Sequence, residues 1–244
     1  MAVHMVEIHP DMRGLTRFAR DQGLLHPGAD EDFGYLVHAW LRAAFGTSAP
    51  GPWRLLLDGR RPTRILAYSA LDADDLGQHM RAFADPTVAA VCEPDGIRSK
   101  EMPSMRPGRR VGFEVLCCPV VREGATGTER DAFLHGLPGD RAAAGAVGRE
   151  DAYCSWLRDR MEQFEGLSLG QVGVKGFRLV RLLRRAAADG SHRRAAAVLV
   201  RPQVLVEGTL TVLDPRVLTS LFMRGVGRHR AFGFGMVLLR PPEP

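Results

Sequence analysis

Tyr35-Leu-Val-His38 sets a phenol and an imidazole three residues apart, so a helix through this segment carries both on one face. With an ordinary pKa of about 6.5, an imidazole can take up or give away a proton at neutral pH. Leu36, Val37, Trp40 and Leu41 supply the apolar side of the same helix. A lone helical histidine is more often a satisfied surface or core residue, so position elsewhere in the chain has to support this pair. His26, in a Gly/Pro-rich loop, is its rival. His4, His9, His79, His135 and His192 have no partner pattern.

A second group is Gly225-Val-Gly227-Arg228-His229-Arg230-Ala-Phe-Gly233-Phe-Gly235. Glycines allow close backbone approach and positive φ. Backbone N–H groups exposed there can cradle an anion, and Arg228 and Arg230 add charge-assisted contacts. Both familiar nucleotide loops run strand, loop, helix. Here the expected order is helix, loop, strand, and no Gly-Lys-Ser/Thr follows. Nucleotide-cofactor binding is therefore a poor reading. The competing one is a glycine-rich bulge at a strand start, which leaves three basic residues in one loop unexplained.

A third group flanks Asp189-Gly190, a hairpin turn signal. Arg181, Arg184 and Arg185 precede it; His192, Arg193 and Arg194 follow. Two such arms form a basic finger. Lys100 and Lys175 are the only lysines among 33 basic residues, so 31 are arginine, the side chain that forks onto phosphate and stacks on bases. Codon bias would give the same composition, which is why position matters more. The four cysteines, Cys92, Cys117, Cys118 and Cys154, form no C-x-x-C pair and no zinc spacing. They read as small packing residues, and neither metal nor cofactor is expected.

These groups need elements to hold them. The expected first half is a strand at Met5–Ile8, a helix from Glu31 to Phe45 capped by Asp30, strands Trp53–Asp58 and Arg64–Ser69, a helix Ala73–Phe83, and a strand Arg110–Cys118. That order is ferredoxin-like. Residues 122–149 lack periodicity and read as a linker or surface loop. The second half reads as a helix Asp151–Phe164, strands Phe177–Leu183, Ala196–Arg201 and Gln203–Leu213, a helix opened by Asp214-Pro215, and a strand Met236–Leu239. The expectation is an α+β chain of two tandem ferredoxin-like (RRM-like) domains, 1–121 and 150–244. Its 45% hydrophobic content supports a real core, and the net charge of +5 suits an anionic partner. No membrane span or signal peptide is apparent, so a cytoplasmic location is expected.

The loop pattern G-h-G-x5-G-h-G after Asp214-Pro-x-x-Leu-x-x-Leu221 resembles the CRISPR-associated repeat-processing endoribonucleases, in particular the CasE/Cse3 branch of the Cascade system. Val206-Glu-Gly-Thr-Leu210 resembles that family's F-E-G-x-L strand, with Val where Phe is usual. Pro107-Gly-Arg-Arg-Val-Gly-Phe113, running on to Pro119, and Trp156-Leu-Arg-Asp-Arg160 resemble two more of its segments. The likeness covers most of the chain outside 122–149. It implies a metal-independent endoribonuclease that binds the stem-loop of CRISPR repeat RNA and cuts it by attack of a 2′-hydroxyl on the adjacent phosphate. The enzyme would stay on the crRNA product with other Cascade subunits. His38 and Tyr35 would be catalytic, with Arg184 approaching the scissile phosphate. Arg181, Arg185, Arg193, Arg194 and the loop residues Gly225, Gly227, Arg228, His229, Arg230, Gly233 and Gly235 would bind RNA. The same features without catalysis would make an RNA-hairpin-binding subunit of a ribonucleoprotein.

Overall fold

A computed structural model describes residues 2–25, 33–57, 59, 61–124, 127–135, 148–185 and 196–242, with backbone alone at 183–185 and 196–197. The chain divides into two compact units. One comprises Met1–Met102, Val180–Val200 and Ala231–Gly233; the other comprises Pro103–Leu179, Arg201–Arg230 and Phe234–Pro244.

In the first unit, β1 (His4–Ile8) leads to helices α1 (Met12–Asp21) and α2 (Phe33–Phe45), then β2 (Trp53–Leu56), β3 (Arg64–Ser69), α3 (Ala73–Phe83), the short α4 (Pro86–Ala89) and β4 (Ile97–Glu101). The sheet order is β2-β3-β1-β4. β1 lies antiparallel to both neighbours, with Val6 opposite Ala67 and Ser99. Val6 and Ile8 alternate into the core, where both are fully buried. α2 buries Leu36, Val37, Trp40, Leu41, Ala44 and Phe45. The Trp40 indole N–H donates to the Val88 carbonyl at 3.0 Å, so this large ring is buried without leaving its one donor unpaired.

In the second unit, β5 (Arg109–Cys117) is followed by a two-stranded ribbon of β6 (Val120–Arg122) and β7 (Glu129–Asp131), the short α5 (Ala132–His135), α6 (Arg149–Met161), β8 (Leu167–Arg185), β9 (Ala196–Val212), α7 (Pro215–Arg224) and β10 (Val237–Arg240), residues 180–185 of β8 and 196–200 of β9 being assigned to the first unit. The sheet order is β10-β5-β9-β8. Each sheet therefore runs second, third, first, fourth strand of its unit, with a helix on each crossover. Both units are ferredoxin-like, as the sequence predicted.

Four local expectations differ from the fold. The strand at Arg110–Cys118 was expected to close the first sheet. It instead opens the second, pairing with β9 from Arg109↔Val212 to Cys117↔Val204 and with β10. The first sheet is closed by β4, an edge strand with a single buried residue, Ile97, in Ile-Arg-Ser-Lys-Glu. An edge strand that faces water on most positions has no alternation to read. Helix α1 had no counterpart in the sequence reading. Its core contacts rest on Gly14, Leu15, Phe18 and Ala19 among charged neighbours, and Asp11 caps it by accepting from the Arg13 and Gly14 amides. Part of the stretch taken as a linker forms β7 and α5. Finally, Pro202 does not divide the strand; β9 runs through it.

Candidate active site

On α2, the buried stripe leaves Tyr35 and His38 half-buried on another face, with Arg42 exposed one turn beyond His38. Burial, and then the positive charge of Arg42, hold the His38 imidazole below its ordinary 6.5. At neutral pH it is therefore mainly the free base. Its ring makes no hydrogen bond to a described residue. The Tyr35 ring packs on the edge of the core and lies 6.2 Å from the Phe232 ring, centroid to centroid, tilted 33°. Phe232 comes from the glycine-rich segment, in the short 3-10 turn Arg230–Phe232. Three positions of that segment, Ala231–Gly233, thus belong to the same unit as the candidate helix.

All four glycines of the segment have positive φ: Gly225 at 63°, Gly227 at 77°, Gly233 at 84° and Gly235 at 85°. Three of them also make room for a neighbour. A Cβ on Gly235 would lie 2.4 Å from the Val226 carbonyl oxygen, one on Gly227 2.7 Å from the Trp156 ring, and one on Gly233 2.8 Å from the Trp53 ring. The amide of Gly225 donates to Leu221 and that of Gly235 to Leu116, while Val226 N–H donates back to Gly235. Those donors are committed to the fold, so they form no anion cradle. The glycines shape the segment that carries the basic residues.

Those residues have an unexpected partner. Glu129 on β7, only 10% exposed, accepts from Arg228 Nε at 2.7 Å through Oε1 and meets His229 Nε2 at 2.7 Å through Oε2. Arg201 on β9 approaches the same Oε2 at 3.4 Å. Burial alone would raise the Glu129 carboxyl; the contacts with His229 and Arg228 outweigh it and hold the group below the usual carboxylate range. Burial also holds His229 below its ordinary value despite Glu129. The stable arrangement is a carboxylate paired with the Arg228 guanidinium and accepting an N–H from a neutral His229. His229 adopts φ 60°, uncommon for a residue with a side chain. Arg230 is exposed and donates to the Arg224 carbonyl at the end of α7.

Of the basic finger, Arg181 is an exposed residue of β8. The side chains of Arg184 and Arg185, and all of Arg193 and Arg194, lie outside the described residues, as does His26. Arg42 and Glu129 were missed by the sequence reading. Arg42 follows from the same helix-face rule that pairs Tyr35 with His38. Glu129, about a hundred positions from its partners, has no local signal. Among the described residues no three His, Cys, Asp or Glu side chains gather as metal ligands would. No helix among them is long and apolar enough to cross a membrane.

A family model described as CRISPR associated protein matches residues 3–241, nearly the whole chain. The chain belongs to this CRISPR-associated family. Within it, the chain is 31% identical over 211 residues to a CRISPR-associated endoribonuclease, Cse3, of Thermus thermophilus, covering 85% of this chain and 90% of that one. The fold matches that of Thermus thermophilus Cse3 bound to an RNA representing a pre-cleavage complex, with a TM-score of 0.62, 21% identity, and coverage of 99% of this CRISPR-associated chain and 100% of the other. It also matches a chain of a CRISPR RNA-guided surveillance complex, pre-nicking, with a TM-score of 0.53, 13% identity and coverage of 99% and 100%.

Proposed function

We propose that this chain is a metal-independent endoribonuclease that binds the stem-loop of CRISPR repeat RNA, cuts precursor crRNA, and remains on its product as a subunit of a crRNA-guided surveillance complex. The observation carrying the reading is the Tyr35–His38 face of α2, with an imidazole poised as free base at neutral pH, in a chain 31% identical to an endoribonuclease over most of its length.

His38 removes the proton from the 2′-hydroxyl. The 2′-oxygen then attacks the adjacent phosphorus, the bond from phosphorus to the 5′-oxygen breaks, and that oxygen takes up a proton from Tyr35 or water, with the proton held by His38 returned in exchange. The products are a 2′,3′-cyclic phosphate and a 5′-hydroxyl. Tyr35 holds the phosphate or shares the proton transfer, and Arg42 contributes positive charge one turn away. Arg184 serves the scissile phosphate, with Arg181, Arg185, Arg193 and Arg194 gripping the stem backbone, where an A-form groove admits contacts to shape more than to bases. Arg228 and Arg230 contact RNA from the glycine-rich segment. Gly225, Gly227, Gly233 and Gly235 set its path.

The test is single-turnover cleavage of a repeat hairpin in excess EDTA. Wild-type protein should cut at full rate. His38→Ala should bind the hairpin but cut it roughly 10²–10⁴-fold more slowly, the usual contribution of one positioned acid or base. Loss of wild-type cutting in EDTA, or unimpaired cutting by His38→Ala, refutes the mechanism. Tight binding without cutting by wild type would leave an RNA-binding subunit instead.

A further inference from the structure

Arg228 stands out among the basic residues of the glycine-rich segment. Its side chain is 49% exposed, yet its Nε is tied to a carboxylate that is 10% exposed. A guanidinium has five N–H donors in a rigid fork. Glu129 takes the one on Nε, and the terminal amines have no partner among the described residues. A plane pinned at its inner edge presents its outer edge in one orientation, the requirement for two parallel bonds to a phosphate. Glu129 also holds His229, the next residue, whose positive φ turns the backbone away immediately after Arg228. The carboxylate sits on β7, in a ribbon paired to β6 through Val121↔Arg130 and Arg122↔Glu129, so its own backbone is fixed.

We propose that Glu129 is a positioning residue for RNA binding: it orients Arg228 so that the terminal amines meet a backbone phosphate of the RNA. The assignment rests on the RNA-binding reading of the chain. It gives the β6–β7 ribbon a task in recognition. Glu129 does not stand in the place of the phosphate. Its oxygens face the inner edge of Arg228 and the half-buried His229, and the RNA would approach the outer edge.

The experiment measures affinity for a repeat hairpin against salt concentration, using full-length wild type, Glu129→Ala, Glu129→Gln, Arg228→Ala and the double variant. Losing a hydrogen bond to a charged group typically costs about tenfold in affinity, and loss of one phosphate contact lowers the salt slope by about one. Glu129→Ala should therefore bind about tenfold more weakly with a slope reduced by about one. Glu129→Gln, whose amide oxygen can still accept from Nε, should recover most of the affinity. In the Arg228→Ala background, Glu129→Ala should cost nothing further. Arg228→Lys, a surface change that keeps the charge but has no Nε–H to hold, should lose as much as Arg228→Ala. That arm stands even where Glu129→Ala does not fold.

Tighter binding by Glu129→Ala would mean that Glu129 competes with the phosphate, and overturns the proposal. So does an equal loss with Arg228 already removed, or full affinity in Arg228→Lys. Wild-type protein that binds no repeat hairpin overturns the functional reading and this inference together. Wild-type binding with an unaffected Glu129→Ala overturns this inference alone.

Discussion

Gly235→Ala separates two reasons for a glycine in the segment that joins α7 to β10. Gly108 and Gly235 have almost the same backbone angle, φ 82° and 85°. A Cβ on Gly108 meets nothing within 4 Å, whereas one on Gly235 would sit 2.4 Å from the Val226 carbonyl oxygen and 3.1 Å from its nitrogen. At Gly108 the only cost is the left-handed conformation, about 1–2 kcal/mol for a residue with a Cβ. At Gly235 the clash is with backbone, which no rotamer change relieves. The segment must move apart, straining or breaking the bonds Val226 N–H to Gly235 O (2.9 Å) and Gly235 N–H to Leu116 O (2.7 Å). Two net hydrogen bonds are worth about 1–3 kcal/mol, so Gly235→Ala should cost about 2–5 kcal/mol in all. At roughly 2–4 °C per kcal/mol for a chain of this size, the thermal midpoint should fall by about 10 °C, against about 4 °C for Gly108→Ala. Calorimetry and urea unfolding of the two variants in parallel provide the measurement. Equal losses for the two would show that close backbone approach is not why Gly235 is glycine.

Other outcomes follow from the charges around the two histidines. The Arg42 guanidinium disfavours the His38 imidazolium, so Arg42→Ala should raise the His38 pKa toward 6.5 and move the acidic limb of the cleavage-rate profile to higher pH; a limb that stays put or moves down excludes the coupling. His229 in the folded chain lies below its ordinary 6.5, so on acidification the unfolded chain takes up that proton first and stability begins to fall below pH 6.5. Glu129 lies below its ordinary 4.5, so it contributes stability above that value which is lost as the pH falls through its folded pKa. Thermal midpoints from pH 8 to pH 3 should therefore decline in two stages, and Glu129→Gln should show a smaller lower one. A Glu129→Gln curve parallel to wild type throughout contradicts the assigned ion pair.

The sequence by itself determined what depends on neighbours along the chain. The Tyr35–His38 spacing and the apolar stripe of α2 follow from helical periodicity, and α2 runs to Phe45 as expected. Asp214 and Pro215 mark the start of α7, where the Asp214 side chain accepts from the Arg216 amide at 2.9 Å. Alternating strands and turn residues were enough for the tandem ferredoxin-like class. Assignment of strands to sheets was not legible there. The apolar Val111–Cys117 run shows plainly as a strand, but only pairing tells that its partners are β9 and β10, while the true closing strand β4 is masked by its exposed polar residues. The glycine-rich segment shows the same division. Its composition marked the place, and only the tertiary structure shows that Gly227, Gly233 and Gly235 each leave room for Trp156, Trp53 or Val226. Glu129 lies 99 positions before Arg228, inside a stretch with no periodic pattern. A carboxylate's partner across that distance is chosen by how sheet and ribbon fold together, so only the folded chain could supply it.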